Sequence, residues 1–188
     1  MQLGRAGLAW RSDEGAPVPP LAGPVKREGD GKSPAGVLRL LEMWGYGAEA
    51  PTGVRLSYHQ SGALDRCVDD VNAKEYGTLA RAPETGPAPW KSAEELRMSS
   101  DHYKYLVVVD YNLKSPKKGA GSCIFFHVAP PPGGPTAGCT ALPEAELLTV
   151  LRFLDPQAQP VLLQLPRAAL EPARRAWDLP KELGETVK

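Results

Sequence analysis

Two stretches of this chain are apolar almost without a break, and the rest is read around them. Tyr105-Leu106-Val107-Val108-Val109-Asp110-Tyr111 is dominated by β-branched and aromatic residues with no polar alternation, as in a strand covered on both faces. Ser122-Cys123-Ile124-Phe125-Phe126-His127-Val128 is the second, bounded by Gly119 and Gly121 before it and by Pro130, Pro131 and Pro132 after it. Glycine and proline at those places mark strand ends. Side chains alternate across a sheet, so Cys123, Phe125 and His127 are expected on one face, with Ile124, Phe126 and Val128 on the other.

Shorter patterns fill in the remainder. Leu3 to Trp10 suits an opening strand, and the prolines of Ala16 to Gly23 suit a loop. Lys26-Arg27-Glu28-Gly29-Asp30-Gly31-Lys32-Ser33-Pro34-Ala35-Gly36 predicts a tight loop feeding a strand at Val37 to Leu40, and a plain hairpin connection explains it equally well. Met43 to Pro89 shows no helical period and is expected to be mostly loop. Ser92 to Met98 predicts a short helix, with Ser92 as N-cap and Glu95 completing a capping box. Leu147, Leu148, Leu151 and Leu154 recur at helical spacing after Pro143, so Glu144 to Leu154 is the strongest helix. Val161 to Leu165 reads as a closing strand, and the charged tail holds a turn or two of helix.

Composition narrows the fold class. The 188 residues suit one hydrophobic core, and 20 Pro with 19 Gly predict many turns and few long helices. The expectation is a mainly β protein with a few short helices, one domain over residues 1–165 and a tail over 166–188. Lys plus Arg equals Asp plus Glu at 22 each, so no net field draws the chain to nucleic acid. No apolar run reaches the ~18 residues of a membrane span. No coiled-coil pattern is present, and a monomer is expected.

The candidate chemistry centres on Cys139. It follows Gly138 at an expected loop-to-helix junction, where free N–H groups and a helix N-terminus favour a thiolate. The N–H groups of Ala137, Gly138 and Cys139 are candidate oxyanion donors. His127 ends its strand before a proline-rich loop able to return the chain, which makes it a candidate base for the thiol. Cys123 is expected to fill core, although a disulfide with Cys67 is open if the protein is extracytoplasmic. Asp69 and Asp70 suit either a substrate amine or an exposed turn, and His59 and His102 are expected at the surface. The cysteines and histidines lack zinc-ligand spacing, so no metal or cofactor is expected.

Gly121 to His127, the proline loop, and Thr136-Ala137-Gly138-Cys139-Thr140-Ala141-Leu142 together resemble the L,D-transpeptidase catalytic domain of the ErfK/YkuD type. There a strand-borne histidine precedes a Ser/Thr-x-Gly-Cys motif. Lys26 to Gly36 resembles that family's glycine-rich loop, and Cys67-Val68-Asp69-Asp70 with Trp90-Lys91-Ser92-Ala93-Glu94 resembles a bacterial subgroup. The resemblance spans roughly Leu3 to Leu165 and implies a β-sandwich-like catalytic domain.

It also implies a cell-wall reaction on peptidoglycan stem peptides. Cys139 attacks the carbonyl of the third stem residue, expels the terminal D-alanine and forms a thioester. His127 takes the thiol proton and assists an acceptor amine, giving a 3-3 cross-link, or water, giving L,D-carboxypeptidase activity. Thr136, Asp69 and Asp70 become candidate substrate contacts. Two residues depart from the pattern: Ala137 stands where the family commonly has His, and Ala141 where it commonly has an Arg able to hold a carboxylate. A wall-binding module without turnover is therefore a further reading. The implied location is the periplasm or cell envelope. Met1 to Trp10 has no signal-peptide pattern, so that location requires an export segment outside this sequence, and a cytoplasmic site follows if Met1 is the true start.

Overall fold

The computed structural model describes residues 1–13 and 21–183. It is mainly β with a few short helices. Most of the expected loop at Ala16 to Gly23 lies outside the described residues.

The sheet is organised by β2, Ser33–Gly45, a strand of 13 residues. Its first half pairs with β1 (Leu8–Trp10) in parallel and its second half with β3 (Tyr58–Gln60), also in parallel. Beyond it, β7 (Tyr105–Val109), β8 (Phe125–Val128) and β9 (Thr140–Leu142) complete the order β1-β2-β7-β8-β9. The closing strand β10, Val161–Gln164, pairs antiparallel with the first half of β2. A separate three-stranded sheet sets β4 (Asp65–Val68) between β5 (Leu79–Arg81) and β6 (Ala93–Glu95).

Both faces of the central strands are covered, as their unbroken apolarity requires. Leu106, Val107, Val108 and Val109 are all buried. On one face Val107, Val109, Ile124, Phe126 and Val128 pack with Leu147, Leu151 and Leu154 from α1, Glu144–Phe153, and the chain that follows it. On the other, Leu106, Val108, Cys123 and Phe125 pack with Cys67, Leu96, Tyr103 and Cys139. The tail is docked too, because Ala169, just before α2 (Leu170–Ala176), packs with Trp10 and Ala35.

Two expectations are corrected. Ser92 to Met98 is not a helix: Ala93–Glu95 pairs with Arg66–Val68, and Leu96 is wholly buried. Tertiary pairing outweighs the local capping signal there. The region from Met43 to Pro89 is mostly loop, as expected, with the end of β2 and the short strands β3, β4 and β5 set into it. The opening strand is confined to Leu8–Trp10, with Gln2 and Gly4 making isolated bridges to Ala141 and Thr136.

Cys67 and Cys123 form a disulfide that ties β4 to the chain entering β8, with Cα atoms 5.8 Å apart. Cys123 fills core as expected, but as half of a cross-link. Among the described residues no helix is long and apolar enough to cross a membrane.

Candidate active site

Cys139 is placed by two clasps on its own carbonyl group. The Ser33 hydroxyl donates to Cys139 O at 2.9 Å, and the Thr136 hydroxyl donates to the same oxygen at 2.6 Å. Ser33 is fully buried and also accepts the N–H of Gly4. The two separated sequence motifs thus meet at one atom. The loop that carries Ser33 is knotted by Asp30, whose carboxylate pairs with Lys26 Nζ at 2.7 Å and accepts the N–H groups of Arg27 and Lys32. Burial pushes the Asp30 carboxyl up, and those donors outweigh it, leaving the group below its ordinary value.

Cys139 immediately precedes β9, and α1 begins only at Glu144. The expected loop-to-helix junction is therefore a loop-to-strand junction, and a helix N-terminus does not activate the thiol. Burial pushes the Cys139 thiol up to about 12, and the charge of Glu94 adds to that. The N–H of Phe125, the Tyr103 hydroxyl and Lys26 act in the opposite direction. At neutral pH the resting group is a thiol. Its sulfur lies 3.5 Å from the carbonyl oxygen of Cys123, a residue held at φ 53°, in the left-handed region that non-glycine residues seldom adopt.

The thiol lies on a pocket of about 340 Å³ that is also lined by His127, Tyr103, His102, Glu94 and Gln2. His127 Nδ1 is 2.7 Å from the Val128 carbonyl oxygen. That acceptor holds the ring proton on Nδ1, and the backbone of His102 also faces the ring. Burial lowers His127 to about 4, outweighing the Val128 carbonyl, so the imidazole is neutral at neutral pH. His102 is exposed, as expected, yet its ring centroid is 6.2 Å from that of His127. Cys139 and His127 share the pocket, but no hydrogen bond joins them.

The other expected site residues divide. The Gly138 N–H is held by the Thr136 hydroxyl at 3.2 Å, whereas those of Ala137 and Cys139 meet no acceptor among the described residues. Two of the three candidate oxyanion donors are thus free. Thr136 lines the pocket, but its hydroxyl closes the turn around Cys139. Neither Asp69 nor Asp70 lines the pocket. Asp70 accepts the N–H groups of Lys91 and Asn72, which lower its carboxyl below the ordinary value. Asp69 faces Glu94 and adds negative charge there.

Ala141 also lines the pocket, and Gln2 pairs with it through both backbone bonds, Gln2 N to Ala141 O at 2.7 Å and Ala141 N to Gln2 O at 2.9 Å. A polar amide therefore stands beside the alanine. Sequence reasoning missed Gln2, Glu94 and Tyr103. For Glu94 the signal was the parity with Leu96, since residues two apart on a strand share a face.

Among the described residues no group of three or more His, Cys, Asp and Glu side chains is placed to hold a metal ion. The sulfurs of Cys67 and Cys123 are bonded to each other, which removes two ligands from any zinc set. No family model, curated protein or solved structure matches this chain.

Proposed function

We propose that this protein is a peptidoglycan L,D-transpeptidase with the β-sandwich-like fold of that family, acting on stem peptides in the cell envelope. The observation that carries this reading is the free thiol of Cys139 in a pocket shared with His127, whose imidazole is neutral and whose Nδ1 is held by the Val128 carbonyl. Cys139 Sγ attacks the donor carbonyl, and the N–H groups of Ala137 and Cys139 receive the developing oxyanion. The leaving D-alanine amine takes the proton that the thiol gives up, the thioester remains, and an acceptor amine resolves it as His127 takes up that amine's proton and passes it to the released sulfur. Water in place of the amine gives L,D-carboxypeptidase activity.

The test is intact-mass analysis after exposure to a carbapenem or a tetrapeptide-stem donor. A covalent adduct on the wild-type protein that is absent from Cys139→Ala is the expected result. A wall-binding module without turnover is the second reading, favoured by the protonated resting thiol and by Ala141. It predicts that Cys139→Ser binds muropeptides as the wild type does and that neither forms product.

A further inference from the structure

The pocket that holds Cys139 contains a carboxylate with no counter-charge. Glu94, on β6, lines it; no lysine or arginine does, and no ion pair reaches Glu94 among the described residues. Its two oxygens differ. Oε2 accepts the Tyr103 hydroxyl at 2.6 Å, whereas Oε1 meets no donor among the described residues and is not sealed from the pocket. Asp69 and Glu28 add negative charge around it, and Oδ1 of Asp69 is itself buried without a partner. Much of the remaining wall is apolar, with Met98, Pro130, Pro135, Ala137 and Ala141 among its residues. An aliphatic chain suits such a wall, and a cation on that chain suits the free carboxylate oxygen.

We propose that Glu94 is a specificity-determining residue that receives a primary ammonium of the donor, the side-chain amine of the third stem residue, a refinement that rests on the acyl-transfer reading of this site. Cys139 attacks the carbonyl of that residue, so its side chain leaves the atom next to the reacting carbon and is the nearest part of the donor able to turn into the pocket. The ammonium donates to Oε1 while the Tyr103 hydroxyl keeps Oε2, and a buried charge gains the partner it lacks. A donor carboxylate is repelled by Glu94, which sends the D-alanine end to another part of the pocket. The acceptor amine is a poorer occupant, because it must reach the thioester unprotonated to attack it. A metal ion is a poorer one too, since no group of three or more ligating side chains gathers there among the described residues.

The ionisation of Glu94 gives this subsite a pH dependence. Burial pushes its carboxyl up to about 7, with Asp69 and Glu28 adding to the rise and the Tyr103 hydrogen bond opposing it. A cation at Oε1 favours the charged form. Cation binding near neutral pH therefore draws a proton off Glu94 and tightens as pH rises through about 7. The titratable groups around Glu94 are Asp69, Glu28, Tyr103 and Cys139, and His102 and His127 line the same pocket. A glutamine would keep the Tyr103 hydrogen bond. Only the acid supplies the charge.

Two measurements test the proposal. The first needs no stem peptide: Cys139, the free thiol, is modified by aminoethyl methanethiosulfonate, a cation, and by sulfonatoethyl methanethiosulfonate, an anion, and each adduct is followed by intact mass. The ratio of the two rates cancels the ionisation of the thiol and its accessibility. It is expected to favour the cation, to rise through pH about 7 in the wild type, and to fall at least about tenfold at pH ~8 in Glu94→Gln. The second is binding to Cys139→Ala of a stem tetrapeptide with lysine in third place and of the same peptide with that amine acetylated. The free amine is expected to bind at least about tenfold more tightly, and adding Glu94→Gln is expected to make the two peptides alike. The proposal is overturned if Glu94→Gln keeps the wild-type rate ratio, if the acetylated peptide binds as tightly as the free amine, or if neither peptide binds. Should Glu94→Gln fail to fold, a wild-type ratio that stays flat across pH about 7 overturns it equally. A preference for the free amine without any D-alanine release would support the subsite and refute the transpeptidase reading, so the two failures are distinguishable.

Discussion

Ser33 and Cys139, 106 residues apart, are joined by a hydrogen bond of 2.9 Å from the Ser33 hydroxyl to the Cys139 carbonyl. Ser33 opens β2, so this bond fixes the Cys139 backbone to that 13-residue strand. The same oxygen accepts from Thr136, leaving two donors to hold one buried carbonyl.

Ser33→Ala removes one donor from Cys139 and strands the buried N–H of Gly4. The expected loss of stability is about 1–3 kcal/mol, the cost of leaving a buried donor unsatisfied. Urea denaturation measures it. Unchanged stability would mean that Thr136 alone holds the loop and that Gly4 finds another acceptor.

The Cys67–Cys123 cross-link spans 56 residues and is the covalent tie between the small sheet and β8. Replacing both cysteines with alanine is expected to destabilise the fold by about 2–4 kcal/mol through the freed unfolded chain. It also releases the Cys123 carbonyl that faces the Cys139 sulfur. Denaturation midpoints with and without reductant check the first effect. A reductant-insensitive wild type would contradict it.

Folding stability should carry opposite pH signatures from two pocket residues. Glu94 titrates at about 7 in the folded chain against 4.5 ordinarily, so its contribution is present below pH 4.5 and is lost as pH rises through 7. His127 titrates at about 4 against 6.5, so its contribution is present above pH 6.5 and is lost as pH falls through 4. Glu94→Gln is therefore expected to be more stable than the wild type at pH ~8, by up to about 3 kcal/mol, with no gain at pH ~4. His127→Asn should remove the loss on the acid side. Urea unfolding across this range reads both, and a Glu94→Gln variant less stable at pH ~8 would contradict the account.

Much of the fold was legible where packing and local pattern agree. Val107, Val108 and Val109 are apolar without interruption because both sheet faces are covered, and the leucines of α1 keep helical spacing because one side of that helix meets the sheet. Ser92 to Met98 was illegible because its capping-box residues also suit a strand edge, and only the partner β4 decides between them. The setting of Cys139 was misread for a related reason. Pro143 announces a helix correctly, but the three residues of β9 stand between it and the cysteine. Cys139 and His127 stood out in the sequence as a motif, and the structure brings both to one pocket. Tyr103 and Glu94 did not stand out, because their meeting depends on how β6 packs near the turn before β7.

The most direct test of the central claim is chromatography of the products formed from a tetrapeptide-stem muropeptide, with and without an added acceptor amine, by the wild type and by Cys139→Ala. The account predicts release of D-alanine that depends on Cys139, with a 3-3 linked product when the acceptor is present. Intact substrate with the wild-type protein, or D-alanine release that survives loss of Cys139, would contradict it.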